Sequence, residues 1–319
     1  MNLMESIKPV ISPVPTHILE AELTKEIFVR KTNKGDNRIY DFAAHQAPHL
    51  LKEVGRLREL TFRAAGGGTG KEIDLDSYDT SEVPYRQLIV WDPSEKEILG
   101  GYRYIMGDQL HTNAKGEIEI ATAKMFHFSE DFIENYLPYT IELGRSFVQP
   151  HYQSSKMGSK SLFALDNLWD GLGSLMVNNP HMKYFFGKVT MYTQSNQEAR
   201  DLIRSFMGIY FRDKNNLVYP KNPVESTIRP EVVAELFGGQ SYADDYKILS
   251  KKVRELGENI PPLINAYMNL SPSMKTFGTA VNDGFGGVEE TGIIITIKEL
   301  YEAKINRHVD SYNRNDPHD

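Results

Sequence analysis

Apolar residues recur at helical spacing in some stretches of the chain and run almost unbroken in others, and the two patterns alternate along most of its length. Leu50, Leu51, Val54, Leu57 and Leu60 predict a helix with one buried face between Pro48 and Phe62, which Gly66-Gly67-Gly68 should end. A second helix is predicted over roughly 159–176, with Leu162, Leu165, Trp169, Leu172 and Met176 on one face. A third should start at Ser195-Asn196-Gln197-Glu198, which has capping-box spacing, and carry the stripe Ala199, Leu202, Ile203, Phe206 and Tyr210. Apolar runs predict strands. RQLIVW (86–91) and ILGGYRYIM (98–106) are joined through Asp92-Pro93-Ser94 as a hairpin, and further strands are expected over 117–123, 141–148, 184–191 and 292–297. Short helices are expected at 129–135, 262–267 and 298–306.

This order of strands and helices predicts an α/β fold, a mixed sheet covered by helices. Residues 1–38 read as an N-terminal extension with Pro9, Pro13 and Pro15, in which EIFVR can pair as a strand. Residues 39–306 form the main domain. Within it, 213–260 is a polar, helix-leaning excursion, longer than an ordinary connection and therefore expected as a lobe or lid. The tail 307–319 is polar and expected to fray.

With 319 residues, 40% of them hydrophobic, the chain can bury a large core, which excludes general disorder. A net charge of −7 without a basic tail argues against nucleic acid as the main partner. The absence of cysteine excludes disulfides, thiolate zinc sites and a cysteine nucleophile. His45, His49, His127, His151 and His181 show no metal-ligand spacing, so no metal is expected. No apolar run reaches the 18 residues or so of a membrane span, and the N-terminus lacks a signal-peptide pattern. A cytoplasmic protein is expected, with peripheral contact at the inner membrane face left open. Gly66–Lys71 is no phosphate loop, because Ala65 stands in the first glycine position and Glu72 in the Ser/Thr position; a mobile substrate-side loop is the expectation instead.

The run Ile141-Glu142-Leu143-Gly144-Arg145-Ser146-Phe147-Val148-Gln149-Pro150 puts a carboxylate and a guanidinium inside an apolar strand. Charge there is costly unless it is paired or used, so Glu142 and Arg145 are either functional or a structural ion pair. Strict alternation would send them to opposite faces, whereas a bulge near Gly144 would turn both toward one cleft and free main-chain N–H groups for a thioester oxyanion. The following loop, 151–160, precedes a helix N-terminus, where Ser155, Lys156, Gly158, Ser159 and Lys160 can meet an anion. An ordinary solvated loop is the alternative.

ELGRSFVQPHY resembles the strand signature of the GNAT-superfamily N-acyltransferases that make ornithine and glycine lipids from acyl carrier protein thioesters, a branch that also holds acyl-homoserine lactone synthases and haemolysin-like proteins. Arg58 with Phe62 resembles the Arg-x-x-x-Phe pair of the first helix, Asp76-Ser77-Tyr78-Asp79 the acidic turn, and Gly101-Tyr102-Arg103 the Gly-x-Arg of the following strand. FGKVTMY, PPLINAYMNLSPSM, Asn282–Phe285 and GIIITI extend the likeness, which spans roughly 50–306. Two departures stand out: Gln153 replaces an arginine common after the tyrosine, and the glycine-rich loop is poorly kept in SSKMGSK.

The resemblance implies a GNAT-like mixed central sheet flanked by helices, and transfer of a long, 3-hydroxylated acyl group from acyl carrier protein to the amine of glycine or ornithine. The donor would be an acyl-phosphopantetheine thioester on the carrier, with acyl-CoA a second option, and no cofactor would be held tightly. Glu142 is assigned as general base or orienting group. Arg103 and Arg145 would hold a carboxylate or the acidic groups nearby. Phe147, Val148, Ser155, Lys156, Gly158, Ser159 and Lys160 would hold the thioester arm. Arg58, Phe62, Asp76 and Asp79 would shape the amine side, with structural pairing of the aspartates as the alternative. A basic face of Lys156, Lys160, Lys188, Arg200 and Arg204 is expected to meet the acidic carrier. Phe62, Phe126, Phe128 and Phe147 are candidates for an acyl groove or for core. The alternatives are an acyl-homoserine lactone-type signal synthase and a non-catalytic acyl carrier or lipid-binding protein. A lytic toxin is disfavoured, since no membrane-penetrating segment is present.

Overall fold

The computed structural model describes residues 7–112, 116–153, 158–238 and 241–312. The chain forms two compact units. One is built from the segments up to Ala121, Tyr139–Lys183 and from Tyr301 onward, the other from Thr122–Pro138 and Tyr184–Leu300. Together they give the α/β, GNAT-like architecture of sheets flanked by helices.

In the first unit the strands β1 (Phe28–Lys31), β2 (Arg38–Phe42), β3 (Arg86–Asp92), β4 (Glu97–Met106) and β6 (Thr140–Val148) pair in that order, each antiparallel to its neighbour. EIFVR thus pairs through β1, and the 86–106 hairpin forms as the sequence suggests. β3 and β4 are buried along nearly their whole length, as expected of strands covered on both faces. Gly100 and Gly101 make this packing possible. A Cβ on Gly100 would run into the Phe147 carbonyl of β6, and one on Gly101 would lie 2.6 Å from the Leu88 carbonyl of β3.

Helix α2 (Pro48–Ala64) ends before the glycine cluster, but its buried surface is not the plain apolar stripe predicted. Leu60 is 39% exposed, whereas Glu53, Arg58 and Glu59 are buried with Leu50, Leu51, Val54, Leu57 and Phe62. Glu59 explains the glycine loop. Its carboxylate accepts the N–H groups of Thr69 and Gly70 and the Thr69 hydroxyl, and Arg63 neutralises it at 2.7 Å, so the loop expected to be mobile is pinned. Helix α5 (Ser159–Asn178) buries Ala164, Leu168, Gly171, Leu172 and Leu175; of the predicted face Leu172 is buried, Leu165, Trp169 and Met176 are half-buried, and the Leu162 side chain lies outside the described residues. Helix α10 (Glu302–His308) docks on α5, where a Cβ on Gly173 would overlap the His308 carbonyl. The predicted strand over 117–123 is not formed. Among the described residues it gives only an isolated bridge between Thr112 and Ile118 and a 3-10 turn over Ala121–Lys124.

In the second unit β10 (Val288–Thr296) lies between β7 (Tyr184–Met191) and β9 (Lys275–Asn282), all antiparallel, and β5 (Phe126–Phe128) pairs with β8 (Val218–Pro220). Helix α6 (Gln197–Tyr210) is capped by Asn196, whose side chain accepts the Ala199 N–H, one residue later than the capping-box spacing placed it. Within 213–260 the chain forms β8, α7 (Pro230–Leu236) and α8 (Tyr242–Glu255); α8 packs on α6 through Phe206, Tyr210, Tyr242 and Tyr246. Phe128, Phe132, Phe186 and Phe277 form a second aromatic core, with ring centroids 5.1 to 6.4 Å apart. Among the described residues no helix is long and apolar enough to cross a membrane.

Candidate active site

The strand β6 is interrupted where its charged residues lie. Gly101 of β4 faces Phe147 and Arg103 faces Gly144, so two steps along β4 match three along β6, and Arg145 in the extra turn has φ of 52°. A positive φ at a non-glycine residue is strained, and a bulge is the structure that imposes it. The bulge expected near Gly144 is therefore present. Glycine at 144 is not needed for space, since a Cβ there would lie 3.9 Å from the Arg103 side chain.

Around this bulge stands a nested set of buried charges. The short helix α3 (Ser77–Thr80) begins with a capping box, in which Asp76 accepts the Tyr78 N–H and Asp79 accepts the Asp76 N–H. The same two carboxylates hold Arg103 from β4. Its Nη1 reaches Asp76 at 2.7 Å and Asp79 at 2.9 Å, and its Nη2 reaches Asp76 at 3.0 Å. On the other side of Asp79, Arg58 from α2 donates at 3.1 Å and Gln87 from β3 at 3.0 Å, and Arg58 also donates to the side-chain amide oxygen of Gln87. Arg58 is fully buried and Arg103 is 3% exposed.

The electrostatics follow from this nesting. Burial pushes Asp79 up, but Arg58 and Arg103 overcome it and hold the carboxyl well below its ordinary value. Asp76 is also lowered, its burial outweighed by the Arg103 hydrogen bonds and charge. Arg103 rises despite burial because Asp79 and Asp76 face it. Arg58 falls, since it lies deepest and also faces the Arg103 charge. Asp74 is raised by burial, which Arg145, 2.9 Å away, only partly offsets.

Glu142 is 2% exposed and accepts a hydrogen bond from the Tyr85 hydroxyl. Arg103 lies over the rings of Tyr85 and Tyr78 at 5.0 and 5.7 Å, linking the carboxylate of β6 to the charges held by α3. Arg58, Asp76, Asp79, Arg103, Glu142 and Arg145 are thus gathered in one network, with Phe62 and Phe147 in the surrounding core. Of the two roles anticipated for Arg103, the geometry shows it holding the neighbouring acidic groups.

The thioester-arm residues fall differently. Val148 is half-buried at the end of β6, and Gly158, with φ of 55°, caps the N-terminus of α5. Ser155 and Lys156 lie outside the described residues, as does the side chain of Ser159. Lys160 is bound to Asp92 and Glu95, both at 2.8 Å, and to Ser94 at 2.7 Å. Tyr152 also donates to Asp92 at 2.9 Å, and these donors take Asp92 down to about 2 against its burial.

Among the described residues the cations of the predicted basic face are all paired with carboxylates. Lys188 pairs with Glu290 at 2.9 Å, Arg200 with Glu289 at 3.2 Å, and Arg204 with Asp201 and Glu289, all with side chains less than a fifth exposed. Strand β10 brings in two acidic residues that the sequence analysis did not connect with these cations. Phe126 is buried and faces Gly292 of β10, and Phe128 joins the aromatic core. Among the described residues no His, Asp and Glu are grouped to hold a metal ion. Sequence reasoning missed Tyr85, Gln87 and Asp74. The only signal for Asp74 is the alternation Ile73-Asp74-Leu75-Asp76, in which Ile73 and Leu75 pack on Gly55.

Residues 57–161, which contain α3, β3, β4 and β6, match the acetyltransferase (GNAT) domain. Over 311 residues the chain is 53% identical to the glycine N(alpha)-acyltransferase of Phocaeicola vulgatus, covering 98% of this chain and 95% of that protein. It is 52% identical to the glycine N(alpha)-acyltransferase of Bacteroides thetaiotaomicron, covering 98% and 92%. A solved CoA-dependent acyl-homoserine lactone synthase, with SAM and isopentyl-CoA, shares 11% identity over 85% of this chain and 88% of its own, with a TM-score of 0.35. Identity above half across nearly the whole of both chains settles the membership: the protein is an N-acyltransferase of the GNAT superfamily, in the family of these two enzymes.

Proposed function

We propose that the protein transfers a long, 3-hydroxylated acyl group from an acyl carrier protein thioester to the amine of glycine, at the cytoplasmic side of the membrane in aminolipid synthesis. The observation that carries the reading is the 53% identity, over nearly the full chain, with a glycine N(alpha)-acyltransferase. Between the two amines expected from the sequence, glycine is favoured because both relatives bear its name.

In this reaction the amine nitrogen attacks the thioester carbonyl, a C–N bond forms, and the C–S bond breaks with its electron pair on sulfur. Glu142 takes the amine proton. Its place beside the β6 bulge supports that role, since a buried carboxylate held by a hydrogen bond is pre-oriented for proton transfer. Arg145, 17% exposed and anchored to Asp74, has the reach to orient the glycine carboxylate. Arg103, Asp76, Asp79, Arg58 and Phe62 build the wall behind Glu142. Phe147, Val148, Ser155, Lys156, Gly158, Ser159 and Lys160 are the residues assigned to the pantetheine arm. The domain division is 39–306 for the acyltransferase, with 213–260 as its inserted part.

The test is to offer the purified protein 3-hydroxyacyl carrier protein, unsubstituted acyl carrier protein thioester and acyl-CoA, each with glycine, ornithine and other free amino acids, and to weigh the products. N-acylglycine made from the hydroxyacyl carrier protein is expected. Glu142→Gln should lower kcat by about a hundredfold. Product with ornithine alone, or an acyl-homoserine lactone from S-adenosylmethionine, would overturn the assignment.

A further inference from the structure

We propose that Tyr85 is a positioning residue for Glu142, holding the carboxylate for the incoming amine while keeping its own proton. The inference rests on the reading of Glu142 as proton acceptor. Tyr85 stands just before β3 and is 1% exposed, and its hydroxyl has two partners. It donates to Glu142 Oε2 and accepts the main-chain N–H of Ala121 at 2.8 Å. A phenol has one proton to donate, and here it is given to the carboxylate, so none is left for a departing thiolate.

The surroundings make this a fixed arrangement. The Tyr85 ring lies 5.0 Å from the Arg103 guanidinium and edge-on to the Tyr78 ring at 5.5 Å. The Tyr78 hydroxyl donates to the Ile120 carbonyl at 3.3 Å, so the two tyrosines grip both polar atoms of the peptide unit joining Ile120 to Ala121. Arg103 is itself locked by Asp76 and Asp79, and Asp79 by Arg58 and Gln87. A rotation of Tyr85 would give up its contacts with Glu142, Ala121, Arg103 and Tyr78 together.

Burial and the adjacent Glu142 charge raise the Tyr85 phenol well above its ordinary value, so it remains a donor at neutral pH. Through the transfer the amine proton passes to Glu142, the thiolate takes a proton from solvent, and the phenolic proton stays between Tyr85 and Glu142. Arg103 of β4 and Tyr78 of α3 face this pair; behind them Arg103 is held by Asp76 and Asp79, and Tyr78 has Asp76 and Glu119 nearby.

A double-mutant cycle tests the assignment. The wild type, Tyr85→Phe, Glu142→Gln and the combined variant are compared for kcat and for KM toward glycine from pH 6 to 9, with thermal melts alongside. Tyr85→Phe is expected to lower kcat by about tenfold or more while KM for glycine stays within about twofold, the signature of a group acting in the chemical step. Added to Glu142→Gln, the tyrosine change should cost less than about twofold, since it has nothing left to position. Tyr78→Phe, which releases Ile120 but not Glu142, serves as the structural control, and its effect on kcat should multiply with that of Glu142→Gln.

Multiplying effects of Tyr85→Phe and Glu142→Gln in the combined variant would reduce Tyr85 to a structural role. Loss of the basic limb in Tyr85→Phe would make it the proton donor to the leaving thiolate, against this proposal. Wild-type turnover by Glu142→Gln would instead remove the reading of Glu142, and the positioning role would fall with it.

Discussion

Asp79 is the point at which the charges from three elements meet, and its removal measures how much the network stabilises the first unit. Asp79→Ala takes from Arg58 its ion-pair partner among the described residues and leaves Arg103 with Asp76 alone. Arg58 is 0% exposed, so water cannot replace what is lost. Breaking a buried pair by removing one partner costs about 3–5 kcal/mol, so that range is expected at pH 7. The pH dependence has a definite sign. A carboxyl held below its ordinary value of about 3.9 contributes stability that is complete above that value and is lost as pH falls through the folded one. The wild type should therefore lose this contribution below about pH 4, where the gap to Asp79→Ala begins to narrow. Both tryptophans, Trp91 and Trp169, belong to the first unit, so urea unfolding followed by tryptophan fluorescence reports on the unit that holds the network. A loss under about 1 kcal/mol at pH 7 would show that the pair contributes no more than an exposed one. A gap unchanged down to pH 3 would show that Asp79 is not held low.

Two further outcomes come from local geometry. Gly100→Ala should destabilise by about 1–3 kcal/mol, because its methyl meets the Phe147 backbone, which cannot swing aside. Gly208→Ala in α6 places its methyl where nothing lies within 4 Å and should stabilise by up to about 1 kcal/mol; equal effects in urea unfolding by circular dichroism would refute the distinction. Lys160→Met should let the Asp92 carboxyl titrate above its present value of about 2, since burial then acts against fewer donors. Asp92 is a lowered carboxyl, so its contribution is present at neutral pH and is lost as pH falls toward 2. The variant should lose part of it at pH 7 and show a shallower acid decline, which carboxyl NMR titration can follow; an unmoved Asp92 would contradict the contact.

The strands that could be read from sequence are those whose residues are buried on both faces. RQLIVW and GIIITI carry their own signal, because a covered strand is apolar along nearly its whole length. Strand β9, KTFGTAVN, escaped because its burial is broken at Gly278 and again toward Asn282, and its pairing is decided by β10 rather than by its own residues. The 117–123 segment misled for the opposite reason. Its Glu-Ile-Glu-Ile alternation looks like a half-buried strand, but Tyr78 and Tyr85 capture the main chain at Ile120 and Ala121 and turn it into a 3-10 segment.

The site divides along similar lines. Charge inside an apolar strand is a local fact, so Glu142 and Arg145 could be singled out, and the odd spacing between them required the bulge that the β4–β6 register contains. What closes the network is not local. Arg58 meets Asp79 across 21 residues, Tyr85 meets Glu142 across 57, and Arg145 meets Asp74 across 71. No periodicity encodes such pairings, because each depends on which helix or turn the sheet order brings alongside. The same reasoning accounts for the lost basic face: Lys188, Arg200 and Arg204 look like surface cations until β10 delivers Glu289 and Glu290 to them. A buried cation in such a chain therefore points first to a carboxylate distant in sequence, and only a cation left over after that pairing points to a ligand.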